Sequence, residues 1–270
     1  MALKNLMVHL SKSDRTPQRL EAAVGLARKH NARLVGVFGQ LADAMRIGVV
    51  PSWPPESYVE AREASEAQFE AATAGLPDAE WVDVNRGSEA MVTQRMVEIA
   101  RSFDLVVMGQ YRDPAQSFAP PDLCEDMVLN SGRPVLIIPY IRTHIELGRR
   151  PMVAWTNARE AARALNDALP LIEGCEEVLL FSSLEEGDEG NPHVEVAKHL
   201  AAHGIKCRSR IEFLDENIGV MDAMLNSITD ASVDLLVMGA HTPSKRPFLS
   251  HGSGTRFILR HMTVPVLMAH

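Results

Sequence analysis

Cysteine is scarce in this chain, with three in 270 residues: Cys124, Cys175 and Cys207. No two lie close together, which excludes a zinc knuckle or a disulfide framework and reads as three buried thiols in a reducing compartment. Aromatic residues make up only 5 % of the chain, too few for a platform that stacks nucleic-acid bases. Positive charge is also short: 27 Lys and Arg stand against 35 Asp and Glu, a net charge of -8. That balance disfavours a nonspecific nucleic-acid or anionic-membrane surface, so any bound anion must be held by local groups. No apolar run reaches the roughly 18 residues of a membrane span. The N-terminus, Met1-Ala-Leu-Lys-Asn-Leu-Met7, lacks the charged-then-apolar order of a secretion signal, and a cytoplasmic protein is expected.

Several enzyme signatures are missing as well. No Gly-x-x-x-x-Gly-Lys-Ser/Thr occurs, which excludes a P-loop ATPase, and no Gly-x-Gly-x-x-Gly follows an early strand. Gly252-Ser253-Gly254 is not the Gly-x-Ser-x-Gly turn of a hydrolase nucleophile, and it follows a loop where that turn would follow a strand. No residue stands out as a general base or nucleophile. His199 and His203 stand four apart on a predicted helix with Glu195 on the same face, a spacing that can chelate. Without a third ligand they read as surface or packing histidines, and no metal is expected.

What the chain does contain is a repeat. Asp104-Leu-Val-Val-Met-Gly109 returns as Asp234-Leu-Leu-Val-Met-Gly239, 130 residues on, and Pro134-Val-Leu returns as Pro265-Val-Leu, 131 residues on. The near-equal offsets mean that the loop and helix between them correspond too, and a repeat of this kind decides the architecture. Two copies are expected, residues 1–142 and 149–270, joined by the charged linker Arg142 to Arg149.

In the first copy, strands are predicted at Lys4–Leu10, Arg33–Phe38, Trp81–Val84, Asp104–Gly109 and Arg133–Ile138. Helices are predicted from Thr16, as an N-cap followed by Pro17, from Glu56 to Ala74, and from a Ser88 cap to Ser102 with Met91 and Ile99 inward. Gln40 to Pro55, rich in proline but carrying Met45, Ile47 and Trp53, reads as a long covering loop or a flap. The second copy shows strands at Pro151–Trp155, Glu177–Phe181, Lys206–Phe213, Asp234–Gly239 and Val264–Met268. Its helices are predicted at Arg159–Ile172, Pro192–His203, Ile218–Ala231 and from the Gly252–Thr255 turn. Alternating strands and helices imply an α/β fold, each copy a doubly wound five-stranded parallel sheet with right-handed crossovers.

Ligands of such sheets sit beyond the carboxyl ends of the strands near the topological switch point. In the second copy that location collects Trp155, Thr156, Phe181, Gly239, Ala240 and the turn Gly252-Ser253-Gly254-Thr255. Backbone N–H groups at a glycine turn leading into a helix attract an anion, and Ser253 and Thr255 add hydroxyl donors. Lys245 and Arg256 lie near enough in sequence to offset phosphate charge.

The segment from Gly239 through Thr242 and nine further residues to Gly252-Ser253 resembles the Gly, two residues, Gly, nine residues, Gly-Ser/Thr signature of the universal stress protein family, with Thr242 at one glycine position. The flanking strands look like that family's last two, and the resemblance extends over both copies. It implies a tandem member with an adenine nucleotide-binding, Rossmann-like fold, a stress response role, and ATP or AMP on Gly252, Ser253 and Thr255. It further implies that the last strands, Val135 to Pro139 and Val264 to Ala269, pair to form an intramolecular pseudo-dimer, with a homodimer of whole chains also open.

Two positions of the second copy depart from the ATP-binding pattern, Thr242 at a glycine position, which disfavours a left-handed turn, and the end of the first strand. The first strand's terminal aspartate is Thr156 here, and Ser11 in the first copy. A lost hydrogen bond to a charged acceptor weakens binding by about ten- to a hundredfold. In the first copy Pro121-Asp122 falls opposite Gly252-Ser253. Proline offers no N–H and aspartate repels phosphate, so that copy is expected to be a structural partner or to take something less anionic. Ligand sensing without turnover is the expected function, through an adenine nucleotide in the second copy. An interaction scaffold with vestigial sites, a slow ATP hydrolase and a metal-binding protein are the alternatives. No nucleic-acid or membrane partner is expected.

Overall fold

The computed structural model describes residues 3–41, 54–84, 88–111, 118–141, 147–184, 190–213, 219–240 and 254–270. The chain divides into two compact units, Ala2–Thr143 and His144–His270. Most of the Gln40–Pro55 connection falls outside the described residues.

In the first unit the elements are β1 (Asn5–Leu10), α1 (Thr16–His30), β2 (Arg33–Phe38), α2 (Glu56–Thr73), β3 (Ala79–Asp83), α3 (Glu89–Ala100), β4 (Leu105–Gly109), α4 (Leu123–Asn130) and β5 (Val135–Ile138). The second unit has β6 (Pro151–Ala154), α5 (Arg159–Ile172), β7 (Val178–Leu184), α6 (Val194–Ala202), β8 (Cys207–Phe213), α7 (Val220–Asp230), β9 (Leu235–Gly239), α8 (Gly254–His261) and β10 (Val266–Ala269). The strands of the first unit lie in the order β3-β2-β1-β4-β5 and those of the second in the order β8-β7-β6-β9-β10. Every pairing within each unit is parallel. Both are the expected doubly wound sheet, reversing direction between the first and fourth strands.

The correspondence between units is residue for residue at the end that matters. α4 and α8 each span eight residues and begin at Leu123 and Gly254, a difference of 131. β5 and β10 begin at Val135 and Val266, again 131 apart. The central strands are apolar on both faces, as parallel strands covered by helices must be: β4, β5, β9 and β10 are buried almost throughout. The outer strands β3 and β8 are more exposed and polar; on β8, Arg208 pairs with Glu177, and Arg210 with Glu212 and Asp230. Charge of this kind discourages further strand pairing at a sheet edge.

The repeated aspartate has a structural task. Asp104 Oδ2 accepts the backbone N–H groups of Lys4 and Asn5 at 2.7 and 2.9 Å. Asp234 accepts those of Arg149 and Arg150 at 2.9 and 3.0 Å. Each carboxylate thus ties the start of the fourth strand to the start of the first, at the end of the sheet opposite the strand carboxyl termini. Gly204, at φ 72°, closes the α6 end, its N–H reaching the Ala201 carbonyl.

Two expectations are corrected. Thr16 is not the N-cap of α1; that position is Arg15. The Thr16 hydroxyl turns back to donate to the Ser11 carbonyl at 2.7 Å, tying helix to strand. Met91 is 53 % exposed rather than inward, because α3 buries the stripe of Val92, Met96, Val97 and Ala100.

Candidate functional site

In the second unit the strand order reverses between β6 and β9, and the chain leaves both strands at the same end of the sheet. Trp155 and Thr156 follow β6, half-buried and exposed respectively, and Gly239 ends β9 with Ala240 after it. α8 connects the carboxyl end of β9 to the start of β10, so its N-terminus, Gly254-Thr255, returns to that edge. The Thr255 side chain is buried and Gly254 partly so. No acidic residue occupies the first turn of α8. Thr242, Lys245, Gly252 and Ser253 lie outside the described residues, while Arg256 is exposed on α8.

Gly239 answers to packing. A Cβ there would stand 2.6 Å from the Ala161 nitrogen and from the Glu160 carbonyl carbon, so the N-terminus of α5 sits where any side chain would be. Ala240 commits its N–H to the Ala269 carbonyl at 2.8 Å, and its carbonyl accepts from His270 Nδ1 at 3.3 Å. Phe181 lies mid-strand, since β7 runs on to Leu184; its ring is buried and its carbonyl accepts the Trp155 N–H at 2.8 Å. Of the residues expected at the site, Phe181 and Ala240 therefore serve the sheet. Trp155, Thr156, Gly239, Gly254 and Thr255 stand at its carboxyl edge.

One residue beside this edge escaped the sequence reading. His193, buried ahead of α6, bridges β7 and β8 through Ser182 (Nε2 to Oγ, 2.8 Å) and Ser209 (Nδ1 to Oγ, 2.5 Å). Ser182 donates its own proton to the Trp155 carbonyl at 2.6 Å, so Nε2 is the protonated ring nitrogen and Ser209 donates to Nδ1. Burial holds the His193 pKa below the usual imidazole value. The Ser182 hydroxyl, committed to a carbonyl, is no nucleophile. Elsewhere, the rings of His199 and His203 pack edge to face at 4.8 Å. Among the described residues no group of three His, Cys, Asp or Glu side chains is placed to hold a metal.

The equivalent edge of the first unit holds a cavity of about 70 Å³ between the ends of β1 and β4 and the start of α1, with His9, Gln18, Arg19, Gly109 and Cys124 in its walls. Arg19 is only 5 % exposed. Its Nη2 donates to Thr16 Oγ1 at 2.8 Å and its Nη1 to His9 Nδ1 at 3.3 Å. A guanidinium cannot accept, so Nδ1 does, and His9 carries its proton on Nε2, which donates to the Gly39 carbonyl at 2.8 Å. Burial, then the Arg19 charge, draw the His9 pKa down to about 3 against the pull of that carbonyl. Burial lowers Arg19 to about 10 and pushes the Cys124 thiol up to about 12, the guanidinium opposing the latter shift. Near neutral pH the cluster is therefore one buried cation beside a neutral imidazole and a neutral thiol, with the Cys124 S–H donating to the Gly109 carbonyl at 3.2 Å. Gly109, the counterpart of Gly239, makes room for Arg19: a Cβ there would lie 2.9 Å from Nη1.

A sequence signal for this cluster existed. Arg19 stands four and seven residues before Ala23 and Leu26, all three on the buried stripe of α1, and His9 interrupts an otherwise apolar strand. α4, whose Leu123 and Cys124 line the cavity, has Asp122 at its N-cap position and carries Glu125 and Asp126 in its first turn. Burial, together with the charges of Asp122 and Glu125, raises the Asp126 pKa.

No family model and no curated protein matches the chain. Solved structures do. A universal stress protein from Archaeoglobus fulgidus DSM 4304 superimposes with a TM-score of 0.69 at 17 % identity, over 98 % of this chain and 97 % of that one. A functionally unknown protein from Pseudomonas aeruginosa PAO1 gives 0.61 at 12 % identity over 99 % and 92 %. A candidate universal stress protein from Pseudomonas aeruginosa UCBPP-PA14 gives 0.58 at 12 % identity over 99 % and 93 %. At such identities the likeness establishes the fold: the chain has the tandem universal stress protein architecture.

Proposed function

We propose that this chain, which has the universal stress protein fold along nearly its whole length, is a stress-response binding protein that senses an adenine nucleotide, ATP or AMP, through its second unit. In this reading Trp155, Thr156, Gly239 and Gly252 to Thr255 form the site, Phe181 and Ala240 support it from within the sheet, and the turn into α8 receives the phosphates. The supporting observation is the contrast between two helices that match residue for residue. α8 opens on Gly254 and a buried Thr255 with no acid in its first turn, whereas α4 opens after Pro121-Asp122 and carries Glu125 and Asp126. A helix N-terminus attracts anions through its free N–H groups and dipole, and carboxylates beside it repel a further anion.

Binding without turnover belongs to the same reading: of the two described hydroxyls that flank the His193 ring, Ser182 donates to the Trp155 carbonyl and Ser209 to Nδ1. Pairing of the last strands into an intramolecular pseudo-dimer and a cytoplasmic location belong to this reading and rest on the sequence alone. Among the described residues no helix is long and apolar enough to cross a membrane. Isothermal titration with ATP and AMP tests the proposal: saturable heat at one site per chain, abolished by Ser253→Ala, is the expected outcome. No heat at millimolar nucleotide rejects it in favour of a scaffold with vestigial sites, and phosphate release that Ser253→Ala removes would instead favour a slow hydrolase.

A further inference from the structure

The first unit lacks the phosphate-receiving turn, yet its switch point is not filled. A cavity of about 70 Å³ remains, several times the roughly 10–15 Å³ that one water needs on this measure and far below the roughly 300 Å³ at which drug-sized pockets begin. Its wall includes the most heavily buried arginine in the described chain, 5 % exposed. Of the five N–H groups of Arg19, the described hydrogen bonds use two, to His9 and Thr16, and Nε has no partner. No carboxylate among the described residues pairs with it. Gln18 lines the same cavity, is 9 % exposed, and has neither amide atom bonded. Burying a cation and an amide in this state is costly unless something completes them. Arg19 and Gln18 both line this one small space, and a planar guanidinium held from two sides is shaped to receive a planar carboxylate.

We propose that this cavity is a binding site for a small monocarboxylate, with Arg19 receiving the carboxylate group and Gln18 assisting. The same walls select against phosphate. Asp14 lines the cavity, and Asp122, Glu125 and Asp126 crowd the adjacent helix start, so a dianion meets more repulsion than a monoanion does. Met108, Leu123 and Ile138 supply apolar wall for a short alkyl chain. Arg19 is fixed before any ligand arrives: Thr16, which holds Nη2, is itself bonded to the Ser11 carbonyl, and His9, which holds Nη1, to the Gly39 carbonyl. Such preorganisation reduces the ordering cost of binding.

The test is isothermal titration of the full chain with acetate and butyrate, and with acetamide and inorganic phosphate for comparison. Saturable binding of the carboxylates is expected at one site per chain, with acetamide and phosphate at least tenfold weaker. Arg19→Met removes charge-assisted bonds and should weaken carboxylate binding by at least about tenfold. It leaves no unpaired charge behind, though the buried His9 Nδ1 loses its donor, and a cooperative melting transition confirms that the variant folds. Arg19→Lys, a point charge without the fork, should recover only part of the affinity. Should Arg19→Met fail to fold, Gln18→Leu serves in its place, with an expected loss of at least about threefold. Ser253→Ala should leave carboxylate binding unchanged, which separates this site from the nucleotide reading. Absence of saturable carboxylate binding, binding that survives loss of the guanidinium, or phosphate binding tighter than carboxylate would each overturn the proposal.

Discussion

Acidification should destabilise the first unit through one residue, His9. Its ring is buried and both nitrogens are committed, Nε2–H to the Gly39 carbonyl and Nδ1 as acceptor for Arg19. A second proton would have to go on Nδ1, facing a guanidinium N–H 3.3 Å away in a site shielded from water. The pKa falls to about 3 in the folded chain, against 6.5 when unfolded. Between those values the unfolded state binds more protons, so stability rises with pH and is lost as pH falls below 6.5. At pH 5 the gap already traversed, 6.5 to 5, corresponds to about 2 kcal/mol. Arg19 and Cys124, at about 10 and about 12, do not titrate in this window and leave the effect to His9. Urea unfolding at pH 7 and pH 5 measures it in a Trp155→Phe background, where fluorescence comes from Trp53 and from Trp81, which stacks on Phe38. Wild type should lose about 2 kcal/mol more than His9→Gln over that interval. The Gln variant starts from lower stability, but its offset is the same at both pH values, and equal pH dependence in the two proteins would refute the reasoning.

Two further perturbations compare the units. Gly239→Ala should destabilise the second unit by about 1–3 kcal/mol, since its Cβ meets helix backbone at 2.6 Å and α5 must move; Gly109→Ala should cost less, because its Cβ meets the Arg19 guanidinium at 2.9 Å and no backbone that close, and denaturation midpoints rank the pair. Asp234→Ala should cost about 1.5–3 kcal/mol through loss of charge-assisted bonds to the Arg149 and Arg150 amides. Asp104→Ala should cost less, since Asp234 is buried and Asp104 only partly so, and calorimetric melting of the two variants checks the order.

The sheet was legible because its determinants are local. Apolar runs such as Leu-Val-Val-Met and Val-Leu-Ile-Ile announce buried parallel strands, and a repeat offset of 130 to 131 carries the topology of one unit over to the other. The tasks of Asp104 and Asp234 could not be read the same way, since their partners lie 99 to 100 and 84 to 85 residues away. Met91 misled because an apolar side chain on a helix signals burial only when its stripe faces the sheet. Phe181 ends its predicted strand, but β7 continues through Ser182 to Leu184 because its ladder with β8 runs on to the Leu184–Phe213 pair. Arg19 was the largest omission: a charged residue on an apolar stripe is easily counted as the edge of the stripe, and only the folded chain places it beneath β4 with His9. Of the expected phosphate turn, Gly254 and Thr255 can be located, while Gly252 and Ser253 lie outside the described residues.

Unequal chemistry in two matching units is tested most directly by native mass spectrometry of the full chain, first as purified and then with ATP or AMP. One adenine nucleotide per chain, retained in Arg19→Met and lost in Ser253→Ala, is the predicted result. Two nucleotides per chain, or one that persists without the Ser253 hydroxyl, would contradict it.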